Sequence, residues 1–100
     1  MYLIHITIHT DQLPAGQADA LLAQHRAWFT SHFEAGDFLL LGPYLDQPAA
    51  GLIVAHAPDR AALDRMLAED VYYPHRWADY TVREFKAAKV SPQLMAFQGL

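Results

Sequence analysis

Two residues break the local pattern in which they stand, and both can hold or move a proton. His25 falls on a helical stripe with Leu21, Leu22 and Phe29, where an apolar side chain packs better. An imidazole at such a core boundary is either a hydrogen-bonded core residue or a general base. Asp70 and its neighbour Glu69 stand where a second helix ends, although the helix dipole favours cations there. Asp70 is followed by Val71, Tyr72, Tyr73 and Pro74, an aromatic connection that withdraws its carboxylate from water. Alone it reads as a solvated helix-terminal acid; beside His25 it reads as a partner. A carboxylate that accepts a hydrogen bond from one imidazole nitrogen fixes the tautomer and leaves the other nitrogen free as a base near neutral pH.

Other chemistries lack their residues. Ser31 and Ser91 stand outside any G-x-S-x-G context, there is no cysteine, and no glycine-rich phosphate loop or dinucleotide fingerprint occurs. His5 and His9 share a strand face but lie about 13 Å apart at the usual strand rise, too far to chelate one ion unaided. His25 and His32 are two helical turns apart, so the expectation is no metal and no cofactor. His32 shares the ambiguity of His25. Cofactor-free proton transfer is the chemistry that remains.

The elements that must carry this pair emerge from periodicity. Residues 2–9 alternate, with Tyr2, Ile4, Ile6 and Ile8 on a core face and Leu3, His5, Thr7 and His9 on a semi-polar one. Ala18, Leu21, Leu22, His25, Phe29, His32 and Phe33 then recur at helical spacing, and Gly36 is the expected left-handed stop. Residues 38–41 predict a second strand, interrupted by Gly42 and Pro43, and residues 52–57 a third after a loop at 46–51. Pro58 and Asp59 suit the start of a short helix that buries Ala62, Leu63, Met66 and Leu67 and ends near Glu69 or Asp70. Residues 77–86 have the composition of an edge strand. The order is βαββαβ, the α+β ferredoxin-like arrangement of a four-stranded antiparallel sheet with two helices on one face.

Composition decides what covers the other face. One hundred residues make one domain, read as residues 1–90 with a tail at 91–100, and 53% of them are apolar against 18% charged. The second and third strands are apolar on both faces, so the helix-free side would expose a large patch. A second copy packed sheet to sheet is the simplest cover, with Leu94, Met95, Phe97 and Leu100 of the tail wrapping the partner. The alternative is a monomer whose tail folds over its own sheet. A net charge of −4 and scattered Lys and Arg argue against nucleic acid and against an anionic membrane surface. No apolar run approaches a membrane span, and the expectation is a cytoplasmic protein.

Four segments in order resemble the YciI-like, YCII-related family: A-Q-H-R-A-W around His25, L-L-L-G-P at residues 39–43, A-E-D-V-Y at residues 68–72, and A-D-Y-T-V-R-E-F at residues 78–85. The resemblance implies a dimeric α+β barrel, a His-Asp dyad at His25 and Asp70, and a G-P turn at Gly42 and Pro43 beside the pocket. It also implies elimination or isomerisation, since some relatives are dehydrochlorinases and similar barrels host muconolactone isomerases. Val71 departs from a pattern in which proline often follows the aspartate. The resulting expectation is a lyase or isomerase in which His25 takes a proton from a small ring-shaped or carbonyl-bearing molecule and Asp70 orients it. Tyr72, Tyr73, His75 and Arg76 are placed at the pocket entrance, with Arg76 attracting an anionic group. The rival is a non-catalytic dimeric module that binds a small molecule in the same pocket.

Overall fold

A computed structural model describes residues 1–100. Strands β1 (Tyr2–Ile8), β2 (Phe38–Pro43), β3 (Ala50–Ala55) and β4 (Ala78–Glu84) form one antiparallel sheet in the order β2-β3-β1-β4. Helices α1 (Ala18–Glu34) and α2 (Arg60–Ala68) follow β1 and β3. The expected βαββαβ order and ferredoxin-like sheet are therefore present, with β2 and β4 at the edges.

The alternation in β1 sorts the two faces. Tyr2, Ile4 and Ile6 are buried with Leu63, Leu67, Phe38 and Ile53, while Leu3, His5 and Thr7 are only half-buried on the opposite face. Asp59 caps α2 by accepting from the Ala62 backbone N–H at 2.7 Å. Gly36 takes φ 85° after α1, the left-handed stop anticipated from the sequence.

Several local expectations shift. The second strand runs through Gly42 to Pro43 instead of stopping at Leu41, because β2 is an edge strand and tolerates a residue without an N–H. The third strand begins at Ala50 and ends at Ala55, so residues 50 and 51 belong to the strand and not to the loop. On α1 the buried residues are Leu21, His25 and Trp28. Trp28, absent from the expected stripe, donates its indole N–H to the Met66 carbonyl at 2.9 Å and so fastens α1 to α2, whereas Phe33 at the other end is 52% exposed.

Across the helix-free face runs an apolar row, Leu40, Val54 and Leu3, ended by Arg83. Leu40 is exposed, consistent with strands that are apolar on both faces. The tail turns back toward the strand ends: Gly99 N–H donates to the Ala87 carbonyl, Ala87 N–H donates to the Leu100 carbonyl, and the Phe97 ring faces His56. No helix is long and apolar enough to cross a membrane.

Candidate functional site

α1 contributes His25 from its middle, and the first residues beyond α2 contribute Asp70. Asp70 is 1% exposed and His25 8%, and Nδ1 of the imidazole lies 2.8 Å from Asp70 Oδ1. A buried carboxylate is costly unless its oxygens are satisfied. The second oxygen is satisfied by Tyr80 of β4, whose hydroxyl donates to Asp70 Oδ2 at 2.6 Å.

Tyr80 stays a donor. Burial first, and then the hydrogen bond to Asp70, push its phenol far above the ordinary tyrosine range. The Tyr72 phenol is likewise raised, by burial and then by the Asp70 charge. With both Asp70 oxygens accepting, His25 presents N–H at Nδ1, and the neutral form of the ring then carries its lone pair on Nε2. Nε2 has no hydrogen-bond partner, and no fully buried side-chain nitrogen or oxygen is left unpaired. The ring that carries it also lines an open space.

That space is a cavity of about 310 Å³ between α1 and the helix-facing side of the sheet. His25, Leu22 and Phe29 line it from α1, Ile6, Ile8 and Ile53 from the sheet, and residues 47–49 of the β2–β3 connection complete the wall. The room exists because small residues stand where core side chains would otherwise project. Beside Ile6 the register places Gly51 and then Pro43. A Cβ on Gly51 would come within 2.8 Å of the Gly42 carbonyl oxygen, so glycine is required where β2 and β3 approach.

The anticipated residues divide between two places. Gly42 and Pro43 line the cavity with His25. Asp70 lies behind His25, outside the lining. Tyr72, Tyr73, His75 and Arg76 are not part of the cavity wall: Tyr72 packs its buried ring against His25 at 5.0 Å, Tyr73 packs on Tyr80, and His75 stacks on Trp77. The connection after Asp70 folds along the back of the dyad.

Two participants escape sequence reasoning. Tyr80 reads as an ordinary strand residue, although its alternation with Ala78 and Val82 puts it on the helix-facing side. Arg26 carries no signal in the local pattern; it is exposed and lines the cavity next to His25.

His32, His9 and His5 find their partners outside the dyad. His32 meets Asp37 Oδ2 through Nδ1 and Glu69 Oε2 through Nε2, each at 2.7 Å. The two acids at the end of α2 therefore both reach back to histidines of α1. His9 pairs with Asp79 at 3.1 Å, and His5 bonds the Tyr44 hydroxyl through Nδ1.

An α+β sheet protein with a His-carboxylate pair behind a mostly apolar cavity is the class that fold and geometry define. The chain belongs to the YCII-related domain family, which matches residues 1–86. It is similar in fold to muconolactone isomerase, with a TM-score of 0.73 and 20% identity over 91% of this chain and 93% of that one. A protein from Deinococcus radiodurans described as a candidate antibiotic biosynthesis monooxygenase is similar at a TM-score of 0.55 and 20% identity, over 91% of this chain and 98% of that one. A further antibiotic biosynthesis monooxygenase is similar at 0.52 and 16%, over 85% and 98%. No curated protein matches the chain significantly.

Proposed function

We propose that the protein is a cofactor-independent lyase or isomerase in which His25 Nε2 removes a proton from carbon next to a carbonyl, or on a ring, of a small molecule held in the cavity. Asp70 holds the Nδ1–H tautomer and stabilises the imidazolium that forms; Tyr80 holds Asp70 in place. The observation that supports this reading is the 2.8 Å pairing of His25 Nδ1 with Asp70 in a ring that also lines the cavity and leaves its other nitrogen unpaired. Likeness in fold to an isomerase accords with the same class.

We further propose that the working form is a homodimer joined through the helix-free sheet face. The chain exposes 6505 Å², about 800 Å² more than a folded monomer of its mass is expected to show, and about 800 Å² is what each partner buries in a standard interface. The row Leu40, Val54 and Leu3 supplies an apolar centre for such a contact.

The catalytic reading is tested by incubating the protein in deuterated buffer with small unsaturated lactones, cyclic ketones and chlorinated phenols, following C–H exchange by proton NMR and chloride release by titration. Turnover of at least one compound above buffer, lost in His25→Ala with an unchanged circular dichroism spectrum, is the expected result. Turnover that survives in His25→Ala removes the base, and no turnover of any compound favours a binding module.

A further inference from the structure

We infer that Arg26 is the anion-recognising residue of the cavity and that the ligand is a small, mostly apolar carboxylate, an inference that rests on reading this cavity as the functional site. Arg26 follows His25 on α1, lines the same cavity and is the only permanently charged residue that does so. No Asp or Glu lines the cavity. Arg26 takes part in none of the ion pairs of the fold, a freedom it shares with Arg65, Arg76 and Arg83, and of these it alone lines the cavity. A protein of net charge −4 thus keeps one exposed guanidinium, with no carboxylate beside it in the lining, on an otherwise mostly apolar cavity wall.

A guanidinium offers a planar pair of N–H donors that matches a carboxylate with two parallel bonds, and low-dielectric walls strengthen that attraction. The remaining wall is aliphatic and aromatic, with Leu22, Phe29, Leu41 and Ile53 suited to a compact hydrocarbon or ring body. About 310 Å³ is at the lower end for ligand sites, which limits the body to a small one. Because His25 and Arg26 line the same small cavity, an anion held by the guanidinium keeps the rest of the ligand within the space that the imidazole borders. Arg76, the cation that the sequence alone suggests for this task, stands outside the cavity wall in the turn before β4.

The test compares benzoate with benzamide, which share a ring and differ in charge, by calorimetric titration of the wild-type protein, Arg26→Gln and His25→Asn. Wild-type protein is expected to bind benzoate at least about tenfold more tightly than benzamide, and Arg26→Gln to lose that preference while binding benzamide unchanged. His25→Asn is expected to keep the preference. Equal binding of the two probes by the wild type, binding of neither, or a preference that persists in Arg26→Gln overturns the assignment. Loss of the preference in His25→Asn alone also overturns it, by making the imidazole the anion holder. A preference that depends on Arg26 in a protein that turns over none of the compounds above upholds the carboxylate site while the proton-transfer reading falls.

Discussion

Asp70 and Tyr80 form the far end of a three-residue relay, the tyrosine hydroxyl donating to Asp70 Oδ2 at 2.6 Å while His25 occupies Oδ1. The carboxylate is therefore fully engaged although it is almost completely buried. The imidazole is held by a group that cannot turn away without breaking a second bond.

Tyr80→Phe leaves Asp70 Oδ2 without its donor. The expected cost is about 1–3 kcal/mol in urea unfolding at neutral pH. The raised Tyr80 phenol also sets a pH dependence. The folded chain keeps this proton more tightly than the unfolded chain, so its contribution is fully present below the unfolded value of 10.0 and declines as pH rises above it. Wild-type stability should fall above that pH, and Tyr80→Phe should flatten the fall; an unchanged slope would show that Tyr80 does not titrate with unfolding.

Asp70→Asn preserves shape but removes the charge that stabilises an imidazolium at His25. Turnover should drop by about a hundredfold or more, with affinity for benzoate little changed. Kinetics of any compound turned over by the wild type, beside calorimetric titration, separates these effects. A loss confined to binding would mean that Asp70 shapes the cavity instead of supporting the base.

His32→Gln tests whether the second histidine bridge is structural. Replacing the ring disrupts the geometry joining Asp37 and Glu69, at an expected cost of about 1 kcal/mol because Glu69 is exposed. Chemical denaturation should register that loss while benzoate affinity stays constant. A large change in affinity would tie His32 to the cavity.

Leu40→Asp places a charge in the apolar row of the helix-free face, where the native side chain is 56% exposed and the monomer has little packing to lose. Light scattering should show a dimer for the wild type and a monomer for this variant, with similar circular dichroism. A wild-type monomer at micromolar concentration would remove the proposed interface.

His25 and Asp70 are legible in the sequence because each violates a local rule, one on an apolar stripe and the other at an unfavourable helix end. Tyr80 and Arg26 obey theirs. A tyrosine in an edge strand and an arginine on a helix are ordinary, so nothing local marks one as a carboxylate partner or the other as a cavity residue. Trp28 escapes for a related reason: its burial depends on the Met66 carbonyl being within reach, which only helix packing arranges. The aromatic segment after Asp70 is conspicuous in composition yet backs the dyad instead of fronting the cavity.

Periodicity and punctuation determine the order of elements, the core face of β1, the stop at Gly36 and the apolar character of β2 and β3 on both faces, because each depends on neighbours in the chain and on burial. Tertiary structure alone decides that residues separated by 45 positions meet at 2.8 Å, and that a space remains beside them. A hydrogen bond tolerates only tenths of an ångström, and the position of α1 against α2 and the β2–β3 connection is the joint outcome of many packing contacts. Local pattern identifies which residues are out of place; packing determines what they are placed for.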